Sequence, residues 1–173
     1  MSLLAFVEMD TPIGALRIAL HEGQLCALAF VDAWPRIDRT LARRFGPTCT
    51  PSPGTAPEVE VRMRDYFAGD PTALDAVTVD PGGTAFQRAV WTALRRVPAG
   101  QTTTYAALAR EIGSPAAVRA VGAANAANPV GIVVPCHRAI GSDGSLTGYA
   151  FGLDRKRWLL QHEKAAWTSH RRS

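Results

Sequence analysis

Asp80-Pro81-Gly82-Gly83-Thr84-Ala85-Phe86-Gln87 divides the chain into two halves of different character. Proline and paired glycines interrupt any regular element, and Thr84 with Gln87 three residues later forms a capping box that opens a helix. That helix places Phe86, Val90, Leu94 and Val97 on one face, and Pro98-Ala99-Gly100 ends it. Strand patterns dominate before the break and short helices after it. The reading is an α+β chain of two domains, residues 1–80 and 84–168.

The first half reads as a strand meander. Residues 3–9 and 15–20 are separated by the turn Asp10-Thr11-Pro12-Ile13-Gly14, and His21-Glu22-Gly23-Gln24 leads into a third strand at 25–30. Ile37, Leu41 and Phe45 recur every four residues and predict a helix with arginines on its outer face. After the Pro/Thr/Ser-rich loop of residues 47–57, Val59, Met63, Tyr66 and Phe67 mark a second helix closed by Gly69, and 74–79 reads as one more strand. This half offers no chemical constellation and is a scaffold.

Composition narrows the class. The 173 residues, 47% hydrophobic and 20% charged, suit ordinary globular domains. No window approaches the roughly 18 apolar residues of a membrane span, and the N-terminus meets Glu8 without a basic segment before it, so a cytoplasmic protein with no membrane partner is expected. The net charge of +4, nearly all of it arginine, suits an anionic partner, nucleic acid first. Among the three cysteines there is no CxxC pair, so neither a disulfide framework nor a metal site is expected. Cys26 reads as a buried small hydrophobe and Cys49 as a loop residue.

In the second half, Tyr105 to Ile112 is a short helix stopped by Gly113, and Ser114-Pro115 supplies an N-cap and first-turn proline for a helix running to Ala127. Helix, glycine turn, helix is the pattern of a helix-turn-helix, and equally of a plain αα-hairpin. The second helix is mostly alanine, with Arg119 its only charge. A helix that reads base edges in the major groove carries several Arg, Asn or Gln side chains near its start. A small-residue helix with one arginine instead suits close approach to a minor groove with a wedge inserted into the stack. The bland alternative is a core helix whose arginine snorkels.

Pro135-Cys136-His137-Arg138 follows the apolar run Val130-Gly131-Ile132-Val133-Val134. A thiol beside an imidazole and a guanidinium is a candidate thiolate nucleophile. The glycine-rich turn 141–145 comes next, then a loop over the site, 146–152, with aromatics between small residues. A last helix over 154–164 has apolar Trp158, Leu159 and Leu160 and basic Arg155, Lys156 and Arg157; on its own Glu163 reads as a solvated helix residue. The tail from Ser169 is expected to fray. These residues alone fit a cysteine hydrolase as well as a transferase.

Taken in order, the motifs resemble the O6-alkylguanine-DNA alkyltransferases. They are Thr11-Pro12-Ile13-Gly14, Tyr66-Phe67-Ala68-Gly69, Gly83 to Gln87, Val90-Trp91, Pro98 to Thr102, Thr104-Tyr105, Arg119 to Gly122, Asn128-Pro129, Pro135 to Arg138 and Gly148-Tyr149. The resemblance implies a ribonuclease-H-like N-terminal sheet with helices and a mainly helical, winged-helix-like C-terminal domain. It implies repair by flipping O6-alkylguanine, with O4-alkylthymine as a second substrate, and moving the alkyl group irreversibly to Cys136. His137 would deprotonate the thiol through a water, Glu163 would orient His137, and Asn128 would brace the turn before the cysteine. Tyr105 would assist rotation of the nucleotide and hydrogen-bond guanine N3. Arg119 would fill the vacated stack, with Ala117, Ala120, Gly122 and Arg138 also at the DNA. Val134, Pro135, Tyr149, Ala150 and Phe151 would line the pocket. No cofactor and no metal are implied, and the partner is duplex DNA met from the minor groove by a monomer, nucleoid-associated if bacterial, with cooperativity along DNA left open.

Three positions depart from the family pattern, Ala126, Ala139 and Phe151, the last expected to narrow the pocket. Two rivals differ in class. An alkyltransferase-like protein binds lesions without transfer but lacks the cysteine, and a helix-turn-helix regulator is disfavoured by the alanine-rich helix.

Overall fold

The computed structural model describes residues 4–47 and 51–167, so Cys49 and the tail from Ser169 lie outside the described residues. The chain forms two compact units. The first runs to Gly82 and includes Pro129–Val133; the second holds Gly83–Asn128 and the chain from Val134 onward. The second half of the sequence therefore lends five residues to the first unit just before Cys136.

In the first unit β1 (Leu4–Met9), β2 (Leu16–His21) and β3 (Gln24–Phe30) form the expected antiparallel meander. The β1–β2 turn is closed by the Thr11 hydroxyl, which donates to Gly14 O at 2.6 Å. An additional edge strand, β4 (Pro51–Pro53), lies parallel to β1 where a loop was expected, giving the order β3-β2-β1-β4. Proline is compatible with that place because an edge strand need not donate on its outer side. Gly54 follows it because a Cβ there would sit 2.5 Å from the Ala5 Cβ. Two helices complete the unit: α1 (Trp34–Phe45), which buries Trp34, Ile37 and Leu41, and α2 (Pro57–Phe67), which buries Val59, Met63 and Tyr66.

β3 is buried from Leu25 to Phe30, and its outer edge is satisfied by single bridges rather than a strand. Leu25 bridges Val79 and Leu28 bridges Val130. The strand expected over 74–79 is replaced by tight turns, Asp75 N donating to Thr72 O and Val77 N to Leu74 O, so only Val79 is extended enough to pair. The apolar run before the cysteine likewise contributes one bridge, with Leu28 N donating to Pro129 O and Gly131 N to Leu28 O. Ile132 then adopts φ 67°, a left-handed conformation costly for a β-branched residue.

The second unit opens with α3 (Ala85–Arg95), and its capping box is formed. Thr84 Oγ1 accepts from Gln87 N at 3.1 Å, and Gln87 Oε1 accepts from Thr84 N at 3.0 Å. α3 buries Val90, Trp91, Ala93 and Leu94 and packs on α4 (Tyr105–Glu111) and α5 (Val118–Ala126). The Trp91 indole donates to Ala124 O at 2.8 Å, fixing the end of α5.

α4 ends in a Schellman motif, with Gly113 N donating to Arg110 O, Ser114 N to Ala109 O, and Gly113 at φ 77°. Ser114 is thus absorbed in closing α4. Consequently α5 begins at Val118 rather than Pro115 and has no side-chain N-cap. β5 (Thr103–Thr104) pairs in parallel with β6 (Ala139–Ile140), and α6 (Leu153–His162) closes the unit, starting after Gly152 at φ 92°. No helix is long and apolar enough to cross a membrane among the described residues.

Replacing Thr84 by Ala removes the acceptor for Gln87 N and is expected to cost about 1 kcal/mol in urea unfolding, with Thr84→Ser near wild type. Equal stability of the alanine variant would show that α3 does not depend on its cap.

Candidate active site

Cys136, His137 and Arg138 form one turn of 3-10 helix between the 129–133 excursion and β6. All three are buried, Cys136 at 2% exposure. Asn125, in the last turn of α5, and Asn128, two residues past its end, hold this turn. Asn128 Nδ2 donates to Val134 O at 2.9 Å and lies 3.2 Å from the Cys136 sulfur, and Asn125 Nδ2 donates to Cys136 O at 3.4 Å. An amide N–H at the sulfur favours the thiolate over the thiol. Cys26, by contrast, is buried with its thiol donating to Ala19 O at 3.3 Å, the inert placement its sequence context predicts.

Beneath the cysteine lies a buried ionic triad. Glu163, at the C-cap of α6, takes His137 Nε2 at 2.8 Å on Oε1, and Arg138 binds it in a fork, Nε to Oε2 at 2.9 Å and Nη2 to Oε1 at 2.8 Å. Arg138 Nη1 also donates to Val97 O at 2.7 Å. Burial opposes ionisation of Glu163, but the electrostatic pull and hydrogen bond of His137, together with the hydrogen bonds and charge of Arg138, outweigh it and hold the carboxyl well below the usual carboxylate range. Burial pushes His137 below its ordinary 6.5, with Glu163 only partly restoring it. A neutral imidazole whose Nε2–H is engaged by a carboxylate carries its lone pair on Nδ1. Nδ1 is buried and makes no hydrogen bond to another protein group, which leaves it able to take a proton.

Cys136 opens onto a cleft of about 460 Å³. α4 contributes Tyr105, α5 contributes Gly122, Asn125 and Ala126, and the far wall is the segment Thr147 to Ala150. Small residues let a flat ligand come close to the sulfur. Burial and the nearby Cys136 charge raise the Tyr105 hydroxyl, partly offset by a hydrogen bond from Thr147, so it is a protonated donor at neutral pH. Arg119 and Ala120 are exposed on α5 and Ala117 is half-buried just before it.

Several expected placements change. Arg138, expected at the DNA, has its side chain 7% exposed and its fork engaged by Glu163. Val134, Pro135 and Phe151 are buried and do not line the cleft. Phe151 meets Tyr149 edge to face at 5.3 Å, so it supports the wall instead of narrowing the opening. Glu163 is fully buried against His137, where the orienting role implied by the resemblance puts it and not where its local pattern alone does.

Sequence reasoning missed Asn125, Thr147 and above all Lys156. Read as part of a basic face, Lys156 is fully buried and donates to Ala139 O at 2.6 Å and Thr147 O at 3.2 Å. Burial lowers its pKa to about 8, against the opposing pull of Cys136. The signal was present: Lys156, Leu159, Leu160 and Glu163 lie at helical spacing on the buried face of α6.

A buried, polarised thiol with a tautomer-fixed histidine at a ligand-sized cleft defines a cysteine-nucleophile protein. The profile described as "6-O-methylguanine DNA methyltransferase, DNA binding domain" matches residues 85–165. The methylated-DNA–protein-cysteine methyltransferase of Salmonella typhimurium is 58% identical over 162 residues, covering 90% of this chain and 93% of its own. The O6-methylguanine methyltransferase of Mycobacterium tuberculosis has the same fold, with TM-score 0.76 and 40% identity over 93% of each chain. The Mycobacterium tuberculosis OGT solved in complex with DNA superposes with TM-score 0.75 at 38% identity, covering 94% of this chain and 93% of that one. The chain belongs to the methylated-DNA–protein-cysteine methyltransferase family.

The triad makes stability acid-sensitive. Because His137 titrates below 6.5 when folded, the unfolded chain binds a proton first as pH falls past 6.5, and stability drops. Glu163 acts in the same direction below about 4.5, its ordinary value. Urea midpoints are therefore expected to fall steadily from pH 7 to pH 4. Glu163→Gln should cost about 3 kcal/mol at pH 7, the scale for removing one partner of a buried pair, and flatten the decline below pH 4.5.

Proposed function

We propose that this protein repairs DNA by flipping O6-alkylguanine, and O4-alkylthymine as a second substrate, from the duplex and transferring the alkyl group to Cys136, once per molecule. The observation that carries the reading is the Cys136 thiol at the cleft, with Asn128 at its sulfur and a neutral His137 fixed by Glu163. Residues 1–80 are the scaffold, ribonuclease-H-like in kind, and 84–168 the winged-helix-like domain that meets DNA and reacts. The protein acts as a cytoplasmic monomer on duplex DNA and needs no cofactor.

An O6-alkyl group is enclosed by stacked bases, so the nucleotide must leave the helix at a cost of a few kcal/mol. α5 approaches the minor groove with its alanine and glycine surface, and the exposed Arg119 enters the gap left by the base. In the cleft the thiol proton passes to His137 Nδ1, directly or through one water, and the thiolate attacks the alkyl carbon in line with the C–O bond. The S–C bond forms as the C–O6 bond breaks, and the electron pair goes to guanine. Tyr105 stabilises that developing anion by a hydrogen bond to N3, and one proton returns to the base, so S–H and C–O are exchanged for S–C and N–H. A thioether has no leaving group for a second cycle, hence the stoichiometric outcome.

Incubation with a duplex containing O6-methylguanine is expected to add one methyl mass to the peptide holding Cys136. Label on another residue, or repeated turnover by one molecule, would sink the mechanism. Cys136→Ala should abolish transfer and leave DNA binding largely intact in a mobility-shift assay. Arg119→Ala should slow single-turnover repair more on duplex than on single-stranded substrate; equal losses would exclude the wedge role.

A further inference from the structure

Thr147 is held at both ends. Its carbonyl accepts from Lys156 Nζ, and its hydroxyl donates to Tyr105 Oη at 3.2 Å. The same ammonium donates to Ala139 O, three residues past the nucleophile, and lies 5.9 Å from the centre of the Tyr149 ring. One buried cation thus ties α6 to β6 and to the cleft wall, and Thr147 carries that connection across to the first residue of α4. A buried ammonium is expensive unless acceptors hold it. The carbonyls of Ala139 and Thr147 serve here, which makes the position of Thr147 costly to change.

We propose that Lys156 and Thr147 form a strut that fixes Tyr105 as a hydrogen-bond donor in the cleft, making Thr147 a positioning residue for alkyl transfer. The inference rests on the reading of Tyr105 as the donor to the departing base. A phenol has one proton to give. By donating to Tyr105 Oη, Thr147 occupies an acceptor site of that oxygen and leaves the phenolic proton for the substrate. Donation into the phenol also polarises its O–H bond and strengthens the outgoing hydrogen bond. The pull of Thr147 on the Tyr105 pKa, opposite to that of burial, has the same origin.

The test measures single-turnover transfer from an O6-methylguanine duplex by Thr147→Val and Thr147→Ser, each alone and combined with Tyr105→Phe. Valine keeps the shape and removes the hydroxyl. It is expected to slow transfer about fivefold, the size of one hydrogen bond, while serine stays within about twofold. In the Tyr105→Phe background valine should have no further effect. The Tyr105 titration, followed by NMR on ring-labelled tyrosine, should move to higher pH in Thr147→Val and remain in place in Thr147→Ser. A fivefold loss from valine even with Tyr105→Phe, or a Tyr105 titration unmoved by valine, would overturn the strut. Wild-type speed in Tyr105→Phe alone would instead overturn the reading of Tyr105, a separate failure that the titration distinguishes.

Discussion

The buried carboxylate of Glu163 is the constraint around which the reactive unit is arranged. It sits at the last turn of α6 and holds both residues that follow the nucleophile, His137 through one hydrogen bond and Arg138 through a fork. Removing the charge would strand a guanidinium in the interior and free the imidazole to choose its tautomer. The same contacts decide chemistry and architecture. Arg138 spans from Glu163 to the carbonyl of Val97, so α6, the reactive turn and the turn that follows α3 are fixed by one ionic group.

A second constraint is the irregular path into the cysteine. Five residues leave the second unit, make one bridge to β3 and return, with Ile132 in a left-handed conformation on the way. Regular strand geometry would alternate side chains between two faces and present Cys136 and His137 in opposite directions. A tight 3-10 turn instead keeps cysteine, histidine and arginine within one local structure. Asn125 in the last turn of α5 and Asn128 just past its end add side-chain donors to the carbonyls of Cys136 and Val134 along this path. The strain at Ile132 is of the kind that surrounding structure must over-determine, and it lies four residues from the nucleophile.

The cleft combines an apolar, small-residue wall with few polar groups, each held from behind. Tyr105 is held by Thr147, Thr147 by Lys156, and the Cys136 backbone by Asn125. Such backing suits a protein that reacts once, since pre-organisation lowers the barrier of the single event and no product has to be released from the sulfur. Phe151 belongs to this backing rather than to the opening, so the departure from the family pattern at that position alters the support of Tyr149.

Much of this protein is legible in the order of its residues. The capping box at Thr84, the β1–β3 meander and the Gly113 stop are local, determined by backbone preference, and the structure shows each where the pattern puts it. Hydrophobic period finds Ile37 and Leu41 in α1 and Val90 and Leu94 in α3, while Phe45, Phe86 and Val97 are only half-buried and Trp91 and Ala93 join the buried face. Cys136 and His137 are likewise legible, because a thiol beside an imidazole is chemistry written in adjacent letters. The start of α5 was misplaced because Ser114 had two local uses, and closing α4 prevailed. What only the tertiary structure decided is the state of groups whose partners are distant in sequence. On local pattern Glu163 reads as a solvated helix residue, and only the family resemblance sets it behind His137, while Lys156 reads as one of three basic residues of α6. Burial made each of them internal, and a charge taken out of water must find partners wherever the fold supplies them: Glu163 found His137 and Arg138, and Lys156 found two carbonyls. The sequence by itself determined the nucleophile; the fold decided what holds it in a reactive state.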